Sequence, residues 1–135
     1  MTLDNFYFII CAVIKMYEVI FYKDRNGRQP VKEYLDDLLS KSDKTGRIKA
    51  NKILQYIDAL TKHGTAIGES QVKHIDGKIF ELRPIDDRIM FAALIEGRFL
   101  LLSHFVKKTQ KTPQREIELA KRRLKDFEER EKDGR

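Results

Sequence analysis

The strongest constraint on this chain is a change of hydrophobic period near its middle. Between Pro30 and His63 apolar residues recur every three to four positions; between Val72 and Val106 they alternate, interrupted at Asp76-Gly77 and Glu96-Gly97. A period of 3.6 builds helices that bury one stripe, and a period of two builds strands whose two faces differ. Acidic residue–glycine pairs suit two-residue hairpin turns, where the backbone must enter left-handed conformations. Two helices followed by a four-strand antiparallel meander are therefore expected.

The remaining elements follow from local signals. Tyr17–Tyr22 is aromatic and β-branched and reads as a first strand. Pro30 suits a first helical turn, and Val31, Tyr34, Leu35, Leu38 and Leu39 form the stripe behind it. Ser42 and Asp43 offer an N-cap for a second helix with the stripe Ala50, Ile53, Leu54, Ile57 and Leu60, stopped at Gly64. Strands are expected over Val72–Ile75, Lys78–Arg83, Arg88–Ile95 and Arg98–Val106, with a turn over Pro84–Asp87. Thr112-Pro113 caps and opens a last helix whose narrow stripe is Ile117, Ala120, Leu124 and Phe127. The order is β-α-α-β-β-β-β-α, an α+β domain with an antiparallel sheet, two helices packed on it and a basic C-terminal helix. At 135 residues there is room for one core.

Charge is concentrated in one segment. The chain carries a net charge of +6. From Lys107 to Lys125 eight basic residues (Lys107, Lys108, Lys111, Arg115, Lys121, Arg122, Arg123, Lys125) face two acids, Glu116 and Glu118, which accounts for the whole excess. Such a focus is expected of a patch that meets a polyanion; a solvated helix face is the plainer alternative.

Several function classes are excluded or disfavoured. The single cysteine, Cys11, rules out an internal disulfide and a multi-thiolate metal site. His63, His74 and His104 have no zinc-enzyme spacing, and the usual phosphate-loop, dinucleotide and nucleophile-elbow motifs are absent. No metal or cofactor is expected. The apolar run Phe6–Ile14 is far short of the ~20 residues that span a bilayer, and Asp4 is the one charge before it. A secretory signal is therefore poorly supported, and a cytoplasmic protein is expected. Residues 1–15 read as an N-terminal extension from an upstream start, or as an added edge strand or short helix. The domain is expected over residues 16–130, with a polar tail over 131–135.

Strand parity selects candidate site residues. Pairing Ile95 with Arg98 places Arg88 opposite Phe105 and Met90 opposite Ser103. If Arg83 and Arg88 are opposite across the Pro84–Asp87 turn, then Glu81, Arg83, Arg88, Ser103, Phe105 and Lys107 share one face. Guanidinium groups grip phosphate oxygens and stabilise charge developing at phosphorus, while an aromatic ring stacks on an unpaired base. The alternative is that Arg83 and Arg88 only pair with Glu81, Asp86 or Asp87. The same parity puts His104 on the other face, with Leu100 and Leu102, and Lys73 away from Arg83.

Phe21-Tyr22, Pro30-Val31, Gly77–Pro84 with Glu81-Leu82-Arg83, and Lys107-Lys108-Thr109-Gln110-Lys111-Thr112-Pro113 followed by Glu116-Ile117 and Ala120 occur in an order that resembles the HigB branch of RelE-type toxins. The Lys107–Pro113 string before a basic helix is the most specific part. The resemblance covers Met16 to Arg130. It implies a RelE-like fold and the toxin of a type II toxin–antitoxin pair, a ribosome-dependent endoribonuclease that cuts mRNA in the ribosomal A site. In such enzymes the RNA 2′-hydroxyl attacks the adjacent phosphorus without a metal.

By that resemblance Arg83, Arg88, Lys107, His104 and Lys73 are the catalytic candidates, and Lys108, Lys111, Phe105, Arg115 and Arg122 the RNA-binding ones. Two positions depart from the pattern: Ser103 stands where relatives carry the histidine, and Lys73 falls on the wrong face by parity. The implied partner is a small helix-turn-helix antitoxin of HigA type. The competing reading is a non-catalytic module that binds RNA or the ribosome through the same cations.

Overall fold

A computed structural model describes residues 17–41 and 43–134 of the chain. The expected N-terminal extension, residues 1–15, lies outside them. The elements are β1 (Glu18–Phe21), α1 (Pro30–Ser40), α2 (Lys44–His63), β2 (Val72–Asp76), β3 (Ile79–Leu82), β4 (Asp87–Leu94), β5 (Arg98–Val106) and α3 (Gln114–Asp133).

The periodicities produce these elements for the reasons given, with informative differences. Val31, Leu35 and Leu38 of α1 are buried, as are Ala50, Ile53, Ile57 and Leu60 of α2; Leu39 and Leu54, at the margins of their stripes, are exposed. Asp43 caps α2 by accepting from the Thr45 N–H. Gly64 ends it at φ 61°, where an added Cβ would stand 2.8 Å from the Tyr17 ring. Helix α3 runs past Arg130 to Asp133, so Glu131, in the expected polar tail, is held by Arg98 at 3.0 Å. Its N-cap is Pro113 rather than Thr112.

The sheet has the order β1-β5-β4-β3-β2. β2 to β5 form the expected antiparallel meander, but β1 runs parallel to β5, with Glu18 opposite Arg98 and Phe21 opposite Leu101. The sheet is therefore mixed, not antiparallel throughout. Helices α1 and α2 cover one face around Leu35, Ile53, Leu60, Leu82, Phe91 and Leu101. Helix α3 covers the other, packing Ala120 and Leu124 on Ile79, Met90, Leu100 and Leu102.

Two bulges set which side chains share a face. Between β4 and β5 the pairs run Leu94↔Arg98 to Phe91↔Leu101, then shift to Met90↔Ser103, leaving Leu102 unpaired. The loop is thus Ile95-Glu96-Gly97, one residue longer than expected, and the bulge restores the expected pairing of Arg88 with Phe105. Between β2 and β3 a second shift at His74/Asp76 makes Lys73 the partner of Glu81. A one-residue shift moves a side chain to the opposite face.

α3 is tied by a polar contact to the segment that follows β1. Asp126 accepts from the Tyr22 hydroxyl at 2.7 Å, Arg25 at 2.9 Å and Arg130 at 2.7 Å. The Tyr22 hydrogen bond, with help from both arginines, draws the Asp126 carboxyl from an ordinary 3.8 down to about 2. Because the folded value is depressed, the stabilisation is fully present above 3.8 and lost as pH falls through about 2. With side-chain exposure at 20%, it is worth about 1–2 kcal/mol after solvent screening. Asp126→Asn should lower the urea midpoint at neutral pH and flatten its decline in that acid window.

Candidate functional site

β3, the following turn and β4 bring three charged side chains together beneath the start of α3. Glu81 points to the α3 face of the sheet and is 2% exposed. Its Oε1 lies 3.4 Å from Arg83 Nε and 3.7 Å from Arg88 Nε, and its Oε2 accepts from the Thr112 hydroxyl at 2.6 Å. One carboxylate therefore faces two guanidinium groups. Thr112 does not cap α3 because its hydroxyl ties the basic Lys107–Pro113 loop to this carboxylate.

The two arginines differ in availability. Arg88 is 5% exposed, and its Nη1 donates to the carbonyls of Ile85 and Asp87, both at 2.8 Å. Burial, then the charge of Arg83, pushes its guanidinium below its ordinary value. It remains a cation, since an arginine is not deprotonated in a protein. Arg83 is more open, with 23% of its side chain exposed. Its Nε is nonetheless buried without a hydrogen-bond acceptor, as is Ser103 Oγ on the same face. The pairing with Glu81 is thus present, but it leaves an excess positive charge and two unmet hydrogen-bonding atoms. Such a cluster is built to take an anion.

Other predicted residues gather around it. Lys73 stands directly across from Glu81 and lines a shallow depression with Arg83, a correction to the parity argument that placed it elsewhere. Its physical cause is the β2 bulge. Phe105 is opposite Arg88 and partly buried. Lys107 begins the loop, its N–H donating to Asp86 O at 2.7 Å. Lys108, Lys111 and Arg115 line a depression with Thr112 and Pro113.

The basic segment is only partly free. Lys121 pairs with Asp76 at 2.5 Å, Arg115 with Glu116 at 3.6 Å, and Arg123 donates to Leu102 O while lying over the Tyr22 ring. Lys107, Lys108, Lys111, Arg122 and Lys125 have no carboxylate partner among the described residues.

His104 is not brought to this cluster. It faces α1 and α2, on the side of Phe99 and Leu101 rather than Leu100 and Leu102, because the Leu102 bulge exchanges their parity. There it stacks on Tyr34, ring centroids 3.4 Å apart, and its Nε2 meets Asp87 Oδ1 at 3.0 Å. Tyr34 donates to the same oxygen at 2.8 Å, and Lys49 Nζ lies 3.6 Å away. Burial alone would raise the Asp87 carboxyl, but the bonds from His104 and Tyr34, then Lys49, outweigh it and hold it below the usual range. Burial and the bond to Asp87 raise the Tyr34 hydroxyl. Sequence reasoning missed Asp87, Tyr34 and Lys49; an aspartate beside Arg88 in a turn carries no periodic signal. No group of three or more His, Cys, Asp or Glu side chains among the described residues is placed to hold a metal ion, and no described helix is long and apolar enough to cross a membrane.

Comparison with known proteins adds family membership. No curated protein matches the chain. The family model of phage-derived Gp49-like proteins (DUF891) matches residues 36–125, from α1 through most of α3 and including both polar clusters apart from Tyr34. Gp49-like proteins are associated with the toxins of toxin–antitoxin systems, in general RNases of the RelE type that work with an antitoxin partner. The chain belongs to the Gp49-like family, and through it to the RelE/HigB-type toxin superfamily.

Proposed function

We propose that this protein is a HigB-like toxin of a type II toxin–antitoxin pair that cleaves mRNA in the ribosomal A site. The observation that supports it most is the Glu81-centred cluster, where two arginines face one carboxylate, Lys73 stands across the strand, and the adjoining loop carries lysines with no carboxylate partner among the described residues. The RNA 2′-hydroxyl gives its proton to water as its oxygen attacks the adjacent phosphorus. The O2′–P bond forms, the P–O5′ bond breaks, and the departing 5′-oxygen takes a proton from water, leaving a 2′,3′-cyclic phosphate and a 5′-hydroxyl. Arg83 and Arg88 stabilise the charge that develops on the phosphoryl oxygens. Lys73 and Lys107 flank the same phosphate. Lys108, Lys111, Arg115 and Arg122 follow the RNA backbone, and Phe105 offers a ring to an unstacked base. The mechanism uses side-chain cations where other nucleases use a metal, and the protein acts in the cytoplasm.

Primer extension on translated and untranslated copies of one mRNA tests this reading. Cuts confined to the translated copy are expected. Binding without cuts in either copy would assign the cluster to a non-catalytic RNA- or ribosome-binding module.

The resemblance to HigB toxins supplies the kind of partner, and the charge supplies a way for it to bind. A small helix-turn-helix antitoxin of HigA type silences the toxin by covering these cations or by blocking ribosome entry. If it covers the cations, raising salt from 0.05 to 0.5 M (about a threefold drop in screening length) should weaken the complex, as titration calorimetry would report. An affinity indifferent to salt would place the interface on apolar surface instead.

A further inference from the structure

The Pro84–Asp87 turn joins two polar clusters that lie on opposite faces of the sheet. On the α3 side Arg88 is bound to carbonyls of this turn, Ile85 O and Asp87 O. On the α1/α2 side the Asp87 carboxylate is held by Tyr34, His104 and Lys49, from three different elements. The Asp87 N–H donates to Pro84 O at 3.0 Å, and Asp86 O receives the Lys107 N–H. One four-residue turn therefore sets the position of Arg88 and of the first residue of the basic loop.

The turn is strained. Ile85 has φ 53°, a left-handed conformation that a β-branched residue rarely adopts, and it is 57% exposed. No packing of its own side chain explains that geometry. A strained residue persists only where the surroundings over-determine it, and such residues concentrate at functional sites. The surroundings here are the Arg88 bond to Ile85 O, the Lys107 N–H on Asp86 O and the three anchors on Asp87.

We propose that Tyr34, His104 and Lys49, acting through Asp87, are positioning residues for Arg88. Their hydrogen bonds and charge pin Asp87 from the helical face, which holds the strained turn and so the carbonyls that orient the Arg88 guanidinium on the other face. His104 then serves the reaction without touching the RNA. The inference rests on the nuclease reading, because its readout is cleavage.

The test is a double-mutant cycle on cleavage of ribosome-bound mRNA, with rates expressed per folded molecule from a melting curve. Tyr34→Phe keeps the ring stacked on His104 and removes one hydrogen bond to Asp87. His104→Phe keeps the stack and removes the other. Each is expected to lower kcat by roughly tenfold with KM unchanged, the order expected of a sub-ångström misplacement. In an Arg88→Lys background, whose ammonium cannot use the same carbonyl pair, either substitution should change kcat no further. Additive effects would overturn the inference, since the anchors would then act independently of Arg88. An unchanged kcat in both single variants would overturn it as well, while leaving the nuclease reading in place. An Arg88→Lys protein that cuts at the wild-type rate would overturn the role of Arg88 and this inference with it, whereas a wild-type protein that leaves translated mRNA uncut would overturn the nuclease reading itself.

Discussion

Replacing Arg83 by alanine is expected to lower cleavage of ribosome-bound mRNA by roughly 10²–10³-fold while leaving the fold in place. Arg83 is the more open cation of the cluster, and its buried Nε has no acceptor within the described protein. In the proposed reaction the exposed part of this guanidinium meets a phosphoryl oxygen, and the demand for a donor grows as charge accumulates in the transition state. Lysine should rescue poorly, because an ammonium cannot reproduce the planar fork. Removing Arg83 leaves Glu81 with Arg88 and Thr112, so stability should change by no more than about 1 kcal/mol.

Arg88→Ala is expected to behave differently. It removes a side chain that is 7% exposed and bound to two carbonyls, so cleavage is lost together with about 3–5 kcal/mol of stability. Melting temperature and cleavage per folded molecule, measured on both variants, separate the two roles. An Arg83→Ala protein that cuts normally would sink the assignment.

Glu81→Ala should give a loss of stability as large as that of Arg88→Ala, about 3–5 kcal/mol, from a total that for most domains is only about 5–15. The substitution leaves Arg88 buried beside Arg83 without its ion-pair partner, and it frees the Thr112 hydroxyl that anchors the basic loop. Urea unfolding measures this directly. Replacing both partners, Glu81→Met with Arg88→Met, should recover most of the stability, since apolar groups of similar volume remove the buried charges together. That double variant should still fail to cut. A Glu81→Ala protein with an unchanged urea midpoint would mean that water, not the carboxylate, balances the arginines.

Much of this architecture is legible in local sequence. Hydrophobic period separates α1 and α2 from the meander, because amphipathic burial is imposed within each segment. Asp43, Gly64 and Pro113 mark helix ends, because caps are satisfied within a few residues of themselves. Arg88 and Phe105 fall opposite each other, as counting from the Glu96-Gly97 turn expects, because the extra loop residue and the Leu102 bulge cancel.

Counting fails where a bulge intervenes. Lys73 reaches Glu81 because β2 shifts register at His74/Asp76, and His104 changes neighbours because Leu102 is left unpaired. Neither bulge has a distinct residue signature. The parallel pairing of β1 with β5 is also hidden, since it joins strands from opposite ends of the chain with no turn to announce it.

The elements, their order and the cations that could face a polyanion are legible in the residues alone, because period, turn chemistry and charge act over short distances along the chain. Which cations are free and which are bound depends on the fold, with Lys121 held by Asp76 and Arg123 by Leu102 O. The fold also makes Tyr34, Lys49 and His104 converge on Asp87, on the face of the sheet opposite Arg88. Those contacts join residues 17 to 53 positions apart, and a hydrogen bond depends on where the fold brings two atoms, not on how far apart they stand in the chain.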